Sequence, residues 1–205
     1  MKSDKETKVK LLESARQEFM EKGYMQASLR SICKNAGVTT GALYFFFKDK
    51  EDLFDSLVAK PLSELHEIMS SHYQSEIEEL QSGQPIGFDY TEDEKTAVEI
   101  VHFMYQYYNE FILLLTKAQG SSHENCIDQF VNDSEQHYRI FADAICEQNH
   151  RPKVDDYTIH WMAHMQTDIF VHMITHEPSE QAALAHMKFT VEFILHGWWG
   201  MLKLK

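Results

Sequence analysis

Apolar residues recur at three- and four-residue spacing along most of the chain, which is the period of amphipathic helices. In the first such segment, residues 5–22, the side chains of Val9, Leu12, Ala15 and Phe19 share one face. The same pattern predicts further helices over residues 28–36, 40–46, 50–73, 94–118, 123–149, 155–175 and 179–203. No stretch alternates convincingly as a strand would, so the sequence predicts an all-α fold.

Short helices and tight turns crowd into the first 50 residues. Ser28 is a good N-cap for the second helix, and Gly37 supplies the left-handed turn that ends it. Thr39 or Thr40 then caps the third helix. Two short helices joined by a tight turn are typical of the helix-turn-helix arrangement. An ordinary helical hairpin would show the same local pattern, and the spacing alone leaves that alternative open.

Charge divides the chain into two unequal parts. The 205 residues include 19 Lys or Arg and 32 Asp or Glu, for a formal net charge of -13. Residues 1–54 hold ten of the basic and eight of the acidic residues, whereas all twelve His lie in residues 55–205. A small, mildly basic module therefore precedes a large acidic one. So small a positive excess is by itself weak evidence for nucleic-acid binding.

Composition excludes several classes of protein. A hydrophobic fraction of 43% is enough for a core and excludes a disordered chain. Apolar runs such as residues 111–115 are far shorter than the roughly 20 residues of a membrane span, and no signal peptide is expected. Cys33, Cys126 and Cys146 are interpreted as reduced thiols of a cytoplasmic protein. No P-loop or dinucleotide motif is present, and no cofactor is expected.

One known pattern agrees with the N-terminal segment in both spacing and residue type over about 46 residues. The matching positions are Ala15, Phe19, Gly23, Tyr24, Ser28, Ile32, Ala36, Gly37, Val38, Thr39, Thr40, Gly41, Ala42, Leu43, Tyr44, Phe47 and residues 50–54. This segment resembles the DNA-binding domain of the TetR family of bacterial transcriptional regulators. The remaining residues match that family only in helical character and length.

The resemblance implies two domains and a function. An N-terminal three-helix helix-turn-helix DNA-binding domain is expected over residues 1–50, and a larger helical effector-binding and dimerisation domain over residues 51–205. The implied protein is a one-component regulator and not an enzyme. It would bind a palindromic double-stranded operator as a homodimer, most simply as a repressor that a small molecule releases.

The DNA-binding residues follow from the resemblance and from physical chemistry. Hydroxyls and free backbone donors at a helix N-terminus bind phosphate well. By resemblance, Tyr44 and Lys50 contact phosphate, whereas Thr40, Gly41 and Phe45 approach base edges. The full predicted set is Ser28, Thr39, Thr40, Gly41, Tyr44, Phe45, Lys48 and Lys50. Phe46 departs from the family pattern, because it cannot make the charge-assisted contact of a histidine.

The larger domain should hold the dimer interface and the effector. The resemblance implies dimerisation through the two C-terminal helices, and Trp198 and Trp199 are candidate anchors of that interface. Their apolar faces carry Ile159, Met162, Met165, Ile169, Met173, Leu184, Met187, Val191, Ile194, Trp198 and Met201. The candidate effector pocket, for an apolar or aromatic molecule, is lined by Phe103, Tyr107, Phe111, Phe141, Trp161 and Met165. For both sets the alternative is ordinary core within one chain.

Histidine patterns keep two further hypotheses open. His160, His164, Asp168, His172 and His176 recur every four residues, the spacing at which pairs can share a metal or haem or sense pH. The stripe drifts around the helix, however, and no metal site is predicted.

Two alternative functions remain. Glu-x-x-His runs at residues 99–102 and 147–150 have the spacing of di-iron helical-bundle enzymes. The near-neutral N-terminal module also allows a TetR-like interaction protein or coactivator that does not bind DNA.

Overall fold

The computed structural model describes residues 2–82 and 91–202, and these ranges fold as helices joined by short connections. The helices are α1 (Lys2–Gln26), α2 (Leu29–Ala36), α3 (Thr40–Phe46), α4 (Lys50–Gln81), α5 (Thr91–Gln106), α6 (Tyr108–Lys117), α7 (Cys126–Gln148), α8 (Asp156–His176) and α9 (Glu180–Leu202). The predicted all-α class is confirmed. Gly83, Pro85 and Gly87 also predict a loop over residues 81–92. Residues 83–90 of it lie outside the described ranges, and residues 91 and 92 begin α5.

The single helix predicted over residues 94–118 is wrong. Tyr107, with φ -111° and ψ 36°, leaves the helical region and separates α5 from α6. The two segments pack in different places, because α5 and α6 belong to different compact units of the chain. The sequence pattern does not show such a break, because the segments before and after Tyr107 are both apolar and both are buried.

Two compact units divide the chain. Unit 1 comprises Met1–Ser63 and Tyr107–Cys126, and unit 2 comprises Glu64–Gln106 and Ile127–Lys205. Helix α4 begins in unit 1 and continues into unit 2, and it stays helical through Pro61. Unit 1 therefore contains more than the helix-turn-helix. The functional boundary expected at residue 50 remains a prediction, because compactness does not define function.

The core of unit 1 is aromatic. Phe19 and Phe54 are fully buried and meet edge to face, with ring centroids 5.0 Å apart. Tyr24 meets Phe54 in the same manner at 5.2 Å. Helix α6 is fastened to α1 by the ion pair between Arg16 Nη2 and Glu110 Oε1, at 2.7 Å. Unit 1 is thus a four-helix core plus the start of α4.

Unit 2 contains two apolar clusters. One joins α7, α8 and the end of α9 around Ile145, Ile159 and Trp198. The other joins α5, α8 and α9 around Val101 and Met187. Within the described ranges, none of the helices has the length and apolar character needed to cross a membrane. Cys33, Cys126 and Cys146 are buried thiols.

Candidate nucleic-acid interface

Side-chain caps determine where α2 and α3 begin. Ser28 is extended and its hydroxyl accepts a hydrogen bond from the backbone N–H of Ser31 at 3.4 Å. Thr39 caps α3 in the same way, accepting from the N–H of Ala42 at 3.2 Å. Between them Gly37 takes φ 68° and ψ 31°, a conformation that costs other residues about 1 kcal/mol or more. These predicted local signals produce the helix-turn-helix.

Helix α3 buries one face and exposes the other. Leu43 and Phe47 are buried against the rest of unit 1, at 0% and 2% exposure. Of the residues predicted to contact DNA, Ser28, Thr39, Thr40, Gly41, Tyr44, Phe45 and Lys48 are exposed. Tyr44 is 56% and Phe45 76% exposed, which is unusual for aromatic side chains in a folded chain. A polar and aromatic surface is therefore available along the exposed side of α3.

Lys50, in contrast, is engaged within the chain. Its ammonium donates hydrogen bonds to the carbonyls of Tyr24 at 2.7 Å, Met25 at 3.2 Å and Ala27 at 3.5 Å. It also lies 4.4 Å from the centroid of the Tyr24 ring. These carbonyls lie just after Gly23, whose φ of 71° and ψ of 164° interrupt α1, so Lys50 holds the chain at that bend. The structure thus assigns Lys50 a contact that competes with the predicted phosphate contact.

Glu51 links the start of α4 to the segment after α6. One carboxylate oxygen accepts from the Tyr24 hydroxyl at 2.5 Å, and the other accepts from the N–H and hydroxyl of Ser122 at 3.0 and 2.6 Å. Burial raises the pKa of Glu51, but the bonds from Ser122 and Tyr24 outweigh burial, and the net pKa is lowered. Burial and the Glu51 carboxylate raise the pKa of Tyr24, which stays a donor.

Glu18 similarly links two segments, because its carboxylate on α1 contacts the residue that precedes α2. Its side chain is 2% exposed and pairs with Lys22 at 2.7 Å, while it accepts from the backbone N–H of Ser28 at 3.2 Å. Ser14, also buried, donates to the carbonyl of Ile32 at 2.9 Å. Sequence reasoning missed both residues, because a polar residue on a helix gives no local sign of its burial.

The residues predicted to line an effector pocket have different surroundings. Phe111 is 2% exposed and belongs to unit 1, and Tyr107 is the break between α5 and α6. Phe141 packs against the α7–α8–α9 cluster of unit 2. Trp161 and Met165 line an open cleft along α8 and α9. The single wall expected from one long helix is therefore wrong, because the helix ends at residue 106.

The cleft on α8 and α9 has a volume of about 780 Å³. Four members of the predicted polar stripe line it: His164, Asp168, His172 and His176. The fifth, His160, turns toward α7 and pairs with Glu135 at 2.8 Å. Among the described residues, the stripe holds no three ligand atoms close enough to share one ion.

Helices α8 and α9 expose a different apolar face from the one expected. Of the predicted interface residues, Ile159, Met162, Met173, Met187, Val191, Ile194 and Trp198 are buried within the chain at 1–9% exposure. Among the described side chains of these helices, the large apolar ones that are exposed are Tyr157, Trp161, Phe189 and Phe193, at 53–78%. The predicted set is thus mostly intrachain core, since a surface helix buries its most continuous apolar face first.

Neither Glu-x-x-His run forms a bundle-core site. His102 is exposed and pairs with Glu180 at 2.6 Å. Glu147 and His150 are exposed at the end of α7, where His150 takes φ 52°. A di-iron centre needs these carboxylates and imidazoles to converge inside the bundle. The structure gives that alternative no support.

A half-buried polar cluster in unit 2 was not anticipated. His72 and Glu76 lie one turn apart on α4, and Asp93 lies in the first turn of α5. Burial lowers the pKa of His72, but the carboxylates of Asp93 and Glu76 outweigh it, and the net pKa is raised. The His-to-Glu spacing on α4 was visible in the sequence, whereas Asp93 joins only through tertiary packing.

Comparison with known proteins agrees with the N-terminal resemblance. Residues 11–57 match the family model described as "Bacterial regulatory proteins, tetR family". The transcriptional repressor BepR of Brucella suis biovar 1 (strain 1330) is 44% identical over 64 residues, 31% of each chain. The fatty acid metabolism regulator protein of Bacillus subtilis (strain 168) is 33% identical over 69 residues, 34% of this chain and 36% of that one. The matched segment thus spans about a third of these relatives.

Solved structures agree over nearly the whole chain. A transcriptional regulator from Aquifex aeolicus VF5 has a TM-score of 0.60 at 16% identity, covering 92% of this chain and 99% of that one. NalD of Pseudomonas aeruginosa, described as a secondary repressor of a multidrug efflux pump, has a TM-score of 0.57 at 18% identity, covering 93% and 96%. At such identities the likeness shows the fold. Together, these findings show that residues 11–57 match the TetR family model and that the fold is similar to that of solved transcriptional regulators. The curated relatives that match this N-terminal segment are transcriptional regulators.

Proposed function

We propose that this protein is a one-component transcriptional regulator that binds double-stranded DNA through α3, most simply as a repressor released by a small molecule. The observation that supports this most directly is the exposed face of α3, within a helix-turn-helix that matches the TetR family model. A mildly basic module on an acidic chain is consistent with one DNA-facing end. Such a regulator works in the cytoplasm, where bacterial DNA lies.

The exposed residues of α3 and of the positions next to its ends divide by chemistry. Thr39, Thr40 and Gly41 offer hydroxyls and a close approach of backbone to phosphate. Tyr44 and Lys48 add a hydroxyl and a cation, both exposed. Phe45 has no polar atom, so its contribution to sequence preference would be apolar contact with thymine methyl groups. Ser28 stands at the start of α2 and adds a further contact.

A homodimer would place two copies of α3 on one operator. The exposed apolar side chains of α8 and α9, and not the set buried within the chain, are the surface that such a dimer would cover. A two-fold dimer binds two half-sites, so the operator should be an approximate palindrome.

The effector is proposed to be apolar or aromatic and to bind in unit 2. Phe103, Phe141, Trp161 and Met165 are the predicted lining residues that belong to this unit. An effector releases DNA only if it binds more tightly to the conformation that cannot span both half-sites.

The test is binding of the purified protein to DNA from around its own gene, measured by fluorescence anisotropy between about 50 and 200 mM salt. We expect specific binding that falls steeply with salt. Lys48→Met should lower the slope of log affinity against log salt by about one. A mismatched base pair typically costs about 1–3 kcal/mol, and Phe45→Ala should reduce that cost at one position.

Lys153→Met is the matched control, because Lys153 is an exposed lysine of unit 2. It should bind DNA as the unaltered chain does. Absence of binding to any such fragment at low salt would instead favour the interaction-protein hypothesis. Equal losses in Lys48→Met and Lys153→Met would show that Lys48 is not a specific DNA contact.

A further inference from the structure

Three side chains of unit 2 with metal-binding donor atoms, His72, Glu76 and Asp93, meet between α4 and α5. Nε2 of His72 lies 3.4 Å from a carboxylate oxygen of Glu76 and 3.5 Å from one of Asp93. All three ligand atoms lie within 4.8 Å of one another. The side chains are 18–28% exposed, so water has limited access to the group. Two carboxylates and an imidazole therefore face one small volume.

The spacing of these atoms suits an ion better than direct hydrogen bonds. A good N–H···O bond has its heavy atoms about 2.7–3.2 Å apart, shorter than both contacts of His72. A tetrahedral ion with bonds of about 2.0–2.1 Å sets its ligand atoms about 3.3–3.4 Å apart. The observed 3.4 and 3.5 Å are close to that edge.

A second layer of contacts orients the ligands. Nδ1 of His72 lies 3.1 Å from the hydroxyl of Thr96. When Nδ1–H donates to Thr96, Nε2 is left with the lone pair that a metal requires. His137, only 5% exposed, places Nε2 2.8 Å from the same Glu76 oxygen. An imidazole N–H on a carboxylate oxygen leaves that oxygen a second lone pair for an ion.

His137 is itself a constrained and unusual residue. Its ring stacks on Tyr73 at 4.1 Å, and the Tyr73 hydroxyl bonds the hydroxyl of Ser134 at 2.8 Å. Its other nitrogen, Nδ1, is buried without a hydrogen-bond partner. Burying a histidine in this way is costly, so its contact with Glu76 points to a role in holding that carboxylate in place.

From these contacts we infer that His72, Glu76 and Asp93 bind a divalent transition-metal ion of the zinc class. Mixed imidazole and carboxylate donors favour Zn²⁺, Ni²⁺ or Co²⁺ over Mg²⁺ or Ca²⁺. Three protein ligands leave a fourth position for water or for a small molecule. The inference departs from the sequence-based expectation of no metal. It does not depend on the proposed DNA binding, since it concerns the ion alone.

The experiment is titration of the full chain with Zn²⁺ by calorimetry, after chelator treatment and dialysis. One saturable site per chain is expected, and Zn²⁺ should raise the melting temperature. Asp93→Asn and His72→Gln should each weaken that site by more than about 100-fold, because the first removes a negative charge and the second removes the imidazole. Thr96→Val, which alters only the layer behind His72, should weaken it by about 10- to 100-fold.

The matched control is His172→Ala. His172 and His176 form a stacked pair on α8, with ring centroids 4.1 Å apart, and exposed pairs at this spacing can bind zinc weakly. The control should retain the tight site. Circular dichroism of each variant checks folding. If either His72→Gln or Asp93→Asn fails to fold, the other still tests the site.

Two results would overturn the inference. One is the absence of saturable binding of Zn²⁺, Co²⁺ or Ni²⁺ to the unaltered chain, which would make the cluster an imidazolium held by two carboxylates. The other is binding that survives Asp93→Asn but disappears in His172→Ala, which would place the ion on α8.

Discussion

Lys50 distinguishes two interpretations of the start of α4. Replacing it with Met keeps an unbranched side chain over the Tyr24 ring but removes the ammonium and its three carbonyl contacts. Hydrogen bonds from a charged donor contribute about 1.5–3 kcal/mol. A cation over an aromatic ring adds about 0.5–1 kcal/mol. Because one ammonium makes all these contacts, their energies do not add fully. We expect the free energy of unfolding to fall by about 2–3 kcal/mol.

The assay is urea unfolding followed by circular dichroism, at one protein concentration so that any association is held constant. Lys48→Met is the control, because Lys48 is exposed two residues earlier in the chain. Its stability should change by less than about 0.5 kcal/mol. DNA affinity across a salt series is then measured on both variants. Only Lys48→Met should lower the salt slope at unchanged stability.

The opposite pattern would refute this reasoning. If Lys50→Met unfolds at the same urea concentration as the unaltered chain, the carbonyl contacts contribute nothing measurable. If it also lowers the salt slope by about one, Lys50 is a phosphate contact, as the sequence resemblance implied. The contacts of the free chain would then be exchanged for DNA on binding.

Three further substitutions test other parts of the structure. Glu51→Gln should lower the free energy of unfolding at pH 7 by about 1–2 kcal/mol. The pKa of Glu51 is lowered from its ordinary 4.5 by its hydrogen bonds, chiefly those of Ser122, against the opposing effect of burial. The difference between variant and unaltered chain should therefore be full above pH 4.5 and disappear in urea unfolding as pH falls through the folded-state pKa. Gly37→Ala should lower the melting temperature by the equivalent of about 1–2 kcal/mol, because φ is 68°, and an unchanged melting curve would contradict this. Phe189→Glu should convert a dimer to a monomer in light scattering. The control Ile140→Glu, which changes a residue of α7 at 49% exposure, should leave the protein dimeric. If both variants remain dimeric, this face of α9 is not the dimer interface.

The parts of the fold that were predictable depend on neighbours in the chain. The helical period, the caps at Ser28 and Thr39 and the turn at Gly37 involve residues three or four apart. Such interactions act in any chain that contains these residues at that spacing, so the helix-turn-helix and its exposed face could be anticipated.

Other features depend on which distant segments pack together. Periodicity could not show that the chain turns at Tyr107, since both flanking segments are apolar. Nor could it show which side of α9 is buried, because that helix has apolar residues on more than one face.

Partners of individual polar side chains were the least predictable. Lys50 donates to carbonyls more than twenty residues away in the sequence, and His72 contacts Asp93, which lies on another helix. Local sequence determines the helices and their ends, because backbone hydrogen bonds and caps act over one turn. Tertiary structure alone determines what each polar side chain contacts, because burial and charge pairing arise only when separate helices come together.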